Sequence, residues 1–138
     1  MDEYIKEIIR LAYKSYENDE VPVGAIIVKD GSIIGRGFND REYSHLITGH
    51  AEINAINDAC KYIGDWRLDD CELYVTLKPC MRCSGSIADA RIKRVFYLCD
   101  KTNVCENNDL FVEEKIEKSS FYDEYVNLLK LFFENKRI

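Results

Sequence analysis

Cys71-Glu72-Leu73-Tyr74-Val75-Thr76-Leu77-Lys78-Pro79-Cys80-Met81-Arg82-Cys83 is the stretch on which the reading of this chain turns. Cys71 to Thr76 is a short apolar, β-prone run, which predicts a strand. Pro79 favours the first helical turn and the residues just before it, so a helix is expected from about Cys80 to Ala90. Arg94 to Cys99 then reads as a second strand.

Upstream of this unit, helical spacing begins at His50, with Ile53, Ile56, Cys60 and Ile63 marking one face and Gly64 ending it. Residues 39–49 are polar and are expected to be irregular. Residues 23–38 read as a hairpin: the continuous apolar run Ala25-Ile26-Ile27-Val28, a turn at Lys29-Asp30-Gly31, and a returning strand from Ser32 to Phe38. Ile5, Ile8, Ile9, Leu11 and Ala12 place a helix over 3–17, which Val21-Pro22-Val23-Gly24 breaks. Downstream, 100–109 is a polar loop, Leu110 to Ile116 fits strand or helix, and 121–134 is an amphipathic helix carrying Tyr122, Val126, Leu129 and Phe133. A strand-helix-strand-helix-strand core behind a leading hairpin implies an α/β domain, with a mixed sheet and helices on both faces.

The length of 138 residues suits one domain spanning 1–138. A formal net charge of -6 argues against a general nucleic-acid-binding module, which carries a basic excess, and leaves room only for a local patch such as Arg91, Lys93 and Arg94. The first residues are acidic where an export signal would be basic, and no apolar run approaches the roughly 20 residues of a membrane span. A cytoplasmic location without membrane contact is expected, and the six cysteines are then reduced thiols rather than disulfides. Cys60, Cys71 and Cys99 read as small core residues, while Cys105 sits in a polar loop with no assigned role.

Two short motifs carry the chemistry. His50-Ala51-Glu52 opens one predicted helix, and Pro79-Cys80-Met81-Arg82-Cys83 opens the next. On its own the Cys-x-x-Cys pair is open between redox, structural-metal and chance readings. With one histidine added it offers three ligands, and a metal held by three protein ligands keeps a fourth position for water. Helix N-termini present unpaired N–H groups and partial positive charge, which favours thiolate over thiol. Two thiolates and a neutral imidazole balance the charge of Zn²⁺, and such a centre lowers the pKa of water toward about 7. Glu52 is then placed to move a proton, since a carboxylate accepts and donates in turn. The plain alternative is a solvated first-turn acid favoured by the helix dipole.

His-x-Glu followed by Pro-Cys-x-x-Cys is the signature of zinc nucleobase deaminases. With Val21-Pro22-Val23-Gly24-Ala25, Gly37-Phe38-Asn39, His45 through Glu52, Leu73 through Cys80 and the Phe132-Phe133 pair followed by Arg137, the chain resembles the cytidine/deoxycytidylate deaminase superfamily, most of all its bacterial tRNA adenosine deaminases. The resemblance implies a three-layer α/β/α cytidine-deaminase-like fold around a central mixed five-stranded sheet. It implies one Zn²⁺ per chain on His50, Cys80 and Cys83, Glu52 as proton shuttle, and substrate contacts from Asn39, His45 and the backbone at Ala51 and Pro79. The implied reaction is adenosine to inosine at the wobble position of a tRNA anticodon loop, releasing ammonia, by a homodimer.

The chain departs from that pattern in carrying Leu46-Ile47 where Asp-Pro is usual, Lys78 where Glu is usual, and no glycine from Asp100 to Asp109. Ala59-Cys60-Lys61, Leu68 to Cys71 and Val95-Phe96-Tyr97 are similar to guanine deaminases of the same superfamily. Deamination of a free base or nucleoside (guanine, cytosine or cytidine) is therefore the alternative expectation. A catalytically silent zinc protein is a third, against which the presence of Glu52 stands. Arg82, between the thiols, reads as a surface residue, and the aromatic cluster of Tyr122, Tyr125, Phe132 and Phe133 as core and dimer packing.

Overall fold

The apolar run Ala25 to Val28 forms the centre of β1 (Gly24–Lys29), which pairs antiparallel with β2 (Ser32–Phe38). Asp30 and Gly31 join them with φ of 51° and 77°, the two-residue turn whose twist matches that of the flanking strands. The coordinates are a computed structural model, which describes residues 2–100, 110–117 and 120–135. On its other side β1 pairs antiparallel with β3 (Cys71–Leu77). β3 runs parallel to β4 (Arg94–Cys99), and β4 runs parallel to β5 (Val112–Lys115). The result is the expected mixed five-stranded sheet, in the order β2-β1-β3-β4-β5.

The segment left open between strand and helix supplies β5. It is an edge strand whose Glu113, Glu114 and Lys115 give it no apolar alternation, and charges at an edge discourage pairing with a further chain.

Helices cover both faces. α1 (Asp2–Glu17) and the C-terminal helix α5 (Ser120–Asn135) lie on one face, where Ile8 and Leu11 meet Ile26 and Val28, and Ile5, Ile9, Tyr125 and Leu128 meet Leu98. The opposite face carries α3 (Ala51–Ile63) and α4 (Met81–Asp89), whose Ala51, Ala55, Ala59 and Ile87 pack on Ala25, Ile27, Leu73 and Val75. Successive β1 residues therefore serve opposite cores, which is why the run is continuous rather than alternating. Residues 39–49, expected to be irregular, contain a single helical turn, α2 (Arg41–Ser44), too short for any period to show. No helix among the described residues is long and apolar enough to cross a membrane.

α3 sits unusually close to β2. A Cβ at Gly37 would collide with the Ala51 carbonyl and the Ala55 backbone nitrogen, and one at Gly35 with the Ala55 carbonyl and Ala59. Hydrogen bonds fix the register of this contact: the Arg36 N–H donates to Asp58 Oδ2 at 2.9 Å, and Asn54 Nδ2 donates to the Phe38 carbonyl at 2.9 Å. The first turn of α3 is thereby held against the end of β2.

Gly37→Ala forces a methyl group into backbone atoms that have no rotamer by which to yield. The expected loss is about 2–3 kcal/mol, at the upper end of ordinary overpacking, read as a lower urea midpoint with an unchanged slope.

Candidate metal centre and cleft

His50 and Cys80 occupy equivalent places: each is the N-cap of a helix, the first before α3 and the second before α4. Both have extended backbone, and neither side chain caps its own helix. An N-cap is the position where Ser, Thr, Asp or Asn contributes about 1 kcal/mol. Two helices thus forgo that contribution to free a ring nitrogen and a sulfur for another purpose.

That purpose is visible in the distances. His50 Nδ1 lies 3.2 Å from Cys83 Sγ and 4.0 Å from Cys80 Sγ, and the three ligand atoms fall within 4.8 Å of one another. Tetrahedral zinc with bonds of about 2.0–2.3 Å to nitrogen and sulfur separates its ligand atoms by roughly 3.5–3.8 Å. The donor set fits as well as the spacing, since imidazole and thiolate suit zinc, whereas carboxylate and carbonyl sets suit magnesium or calcium.

The protonation pattern follows from the contacts. Hydrogen bonds from Cys83 and His50 hold the Cys80 thiol far below its ordinary value, at about 3. Cys83 moves the other way, because it shares its proton with Cys80, is deeply buried and faces the Glu52 carboxylate. Glu52 is 5% exposed, so it is not the solvated first-turn acid of the plain reading. Its carboxylate comes within hydrogen-bonding reach of the Cys83 sulfur.

His50, Glu52 and Cys80 face a cleft of about 970 Å³. Its walls come from five places: the segment before β1 (Asp19, Glu20, Val21, Val23), the α2 region (Asn39, Arg41, Glu42), the end of β3 (Leu77, Lys78), Asp100 after β4, and α5 (Leu129, Phe132, Phe133). The buried Tyr125 hydroxyl donates to the Pro22 carbonyl at 2.7 Å and ties α5 to the segment before β1.

The four substrate-contact expectations are placed differently from one another. Asn39 lines the cleft, but its side chain is a brace: Oδ1 accepts the Ala51 N–H at 2.8 Å and Nδ2 donates to the Val21 carbonyl at 3.1 Å. Ala51 is fully buried and its N–H is engaged by Asn39. Pro79 is buried directly before the Cys80 N-cap. His45 ends α2 with φ of 61°, is exposed, and is not among the residues facing the cleft.

Arg82 is exposed, as expected. Cys71 and Cys99 are buried, whereas Cys60 is half-buried with its sulfur 3.7 Å from the Trp66 carbonyl. Tyr125 is core, but Phe132 and Phe133 face the cleft rather than serving packing alone. Cys105, Arg137 and most of the glycine-free loop lie outside the described residues.

Sequence reading missed Glu20. It is 5% exposed, and its Oε2 accepts the N–H groups of Glu42 at 2.7 Å and Tyr43 at 3.2 Å, so it starts α2 from 22 residues upstream. No local signal announces a cap supplied across such a separation.

With the geometry in place, the comparisons with known proteins are specific. Residues 1–137 match the family model described as MafB19-like deaminase. The chain is 38% identical to a tRNA-specific adenosine deaminase of Streptococcus pyogenes, over 97% of this chain and 90% of that protein. Among solved structures, one from a study of A-to-I editing by tRNA:A34 deaminases at the wobble position of transfer RNA superposes with a TM-score of 0.71 at 39% identity, covering 72% of this chain and 77% of the other. A guanine deaminase from Bacillus subtilis superposes with a TM-score of 0.69 at 42% identity, covering 74% and 66% respectively.

Asn39→Ala removes the brace and leaves the Ala51 N–H and the Val21 carbonyl without their side-chain partner. A loss of about 2 kcal/mol is expected from two part-buried groups, read by urea unfolding. A looser His50 should accompany it, seen as faster loss of metal to a chelator than from the parent protein.

Proposed function

The chain belongs to the MafB19-like deaminase family and is a hydrolytic nucleobase deaminase, and from that premise we propose that it converts adenosine to inosine at the wobble position of a tRNA anticodon loop. The observation that carries this reading is the meeting of His50, Cys80 and Cys83 beside a buried Glu52 in one cleft. The relatives and solved structures named for tRNA adenosine deamination support the substrate.

One Zn²⁺ per chain would be held by His50, Cys80 and Cys83. When bound there it supplies the Lewis acidity that makes water a nucleophile at neutral pH. The chain's own residues do the rest. Glu52 accepts a proton from the attacking water on a carboxylate oxygen and delivers it to the purine ring nitrogen next to the carbon under attack. It then transfers the second proton to the departing amine, so that adenosine and water give inosine and ammonia. Burial of Glu52, which is 5% exposed, limits the water that reaches that carboxylate and strengthens its electrostatic grip on the transferred proton. An anticodon loop suits such a site because its bases can be splayed out of the stack and inserted singly.

A homodimer is part of the same reading. Exposed Tyr43 on α2, Leu46 and Ile47 after it, and Met81 at the start of α4 support it. The likeness to a guanine deaminase and the net charge of -6 favour a second reading, in which a free purine base is the substrate.

The test is a paired screen for ammonia and deaminated product, with an anticodon stem-loop against guanine, adenine, cytosine and their nucleosides. Inosine from the stem-loop alone supports the proposal, and turnover of guanine alone replaces it with the second reading. On whichever substrate reacts, Glu52→Gln should lower kcat by about a thousandfold, within the range for losing a general acid–base, while metal content stays that of the parent.

A further inference from the structure

Acids, Asp19 and Glu42 among them, outnumber cations around the cleft, but these charged residues are not equally committed. The Glu20 carboxylate is held by the N–H groups at the start of α2. Asp100 is in an ion pair with Lys115. Glu52 belongs to the reacting centre. Lys78 differs: among the described residues its ammonium forms no ion pair, its ring neighbour is Tyr97, with Nζ 5.5 Å from the centroid, and the acid whose charge it feels is Asp100, already paired with Lys115.

Its position is also fixed more tightly than that of a surface lysine. The Lys78 N–H donates to the Cys99 carbonyl at 3.0 Å, extending the β3–β4 pairing by one residue, and Cys80 follows two residues later. The backbone of Lys78 is therefore as rigid as the sheet and the metal ligand on either side of it. The side chain is half-buried and lines the cleft. Across the sequence, Arg41 on α2 brings to the same cleft a second cation with no ion pair among the described residues. Lys78 is one of the positions where the chain departs from the pattern it otherwise follows, and the departure places a cation in the cleft that Glu52 faces.

A partly desolvated ammonium on a rigid backbone is suited to a compact anion, and a nucleotide substrate carries one at a short, fixed distance from its base. We propose that Lys78 is a specificity-determining residue that receives a phosphate group of the substrate next to the reacting base. This rests on the wobble-adenosine reading and deepens it: Lys78 is the residue by which the cleft favours a phosphodiester-linked nucleoside over a free base.

The experiment compares the parent, Lys78→Gln and Lys78→Arg proteins, each loaded with zinc. It measures stem-loop binding and kinetics between 50 and 200 mM salt, together with turnover of free adenosine and guanine. Losing one phosphate contact should weaken stem-loop affinity and raise KM about five- to tenfold and reduce the log–log salt slope by about 0.7–1. kcat should stay within twofold, turnover of any free nucleoside or base should not change, and Lys78→Arg should recover most of the loss. A lysine serving only the fold would lower stability and kcat without touching the salt slope. An unchanged slope and KM in Lys78→Gln overturns the proposal while parent turnover of the stem-loop leaves the wobble reading standing. If the parent turns over guanine and not the stem-loop, both fall, since a free base has no phosphate to receive.

Discussion

Everything at this site depends on two helices beginning at one place. α3 and α4 are separated in sequence by a strand, yet their N-caps must bring a ring nitrogen and two sulfurs within 4.8 Å. The sheet sets that coincidence. β3 delivers Cys80 from the end of its parallel ladder with β4, and β2 delivers α3 through the glycine contact at Gly37. A shift of one residue in the β2–α3 contact would rotate Ala51 and Glu52 by about 100° about the helix axis. The lateral bonds from Asp58 to the Arg36 N–H and from Asn54 to the Phe38 carbonyl oppose such a shift.

The same convergence sets the electrostatics. Two cysteines, a carboxylate and an imidazole packed this closely cannot all hold their ordinary protonation states. Their mutual hydrogen bond and burial move the two thiols in opposite directions, Cys80 down and Cys83 up. A divalent cation removes the conflict, because it replaces the proton shared between the sulfurs and offsets the neighbouring Glu52 charge. A zinc ion held there would thus both complete the fold of this corner and supply reactivity.

How much of this the sequence discloses depends on the range of the interactions. The metal trio and Glu52 are legible because each helix start is encoded locally, by Pro79 in one case and by the onset of apolar spacing at Ile53 in the other. The hairpin is legible because Asp30-Gly31 is a two-residue signal for one turn type. Elements whose stability comes from distant partners are not. α2 is started by Glu20, 22 residues away, and has too few residues to show a period. β5 is held only by pairing with β4 and carries an edge strand's charges. Asn39 illustrates the limit within the site. Its place at the cleft follows from the motif, but its role as a brace between Val21 and Ala51 appears only in the fold.

Net charge is a poor guide to what enters the cleft. The value of -6 belongs to the whole chain, and at physiological ionic strength charges farther apart than about 8 Å are largely screened from one another. A bound substrate responds to the groups within that distance. Acids outnumber cations there, with Asp19, Glu20, Glu42, Glu52 and Asp100 lining the cleft; Glu20 holds α2 and Asp100 holds Lys115, while Arg41 and Lys78 have no ion pair among the described residues. The balance a phosphate would meet is thus set by commitment rather than by count. An acidic protein can offer a phosphate two cations at one cleft without carrying the diffuse basic surface of a general nucleic-acid binder. That arrangement favours a single inserted nucleotide over long tracts of backbone, which is the selectivity an enzyme acting on one loop base requires.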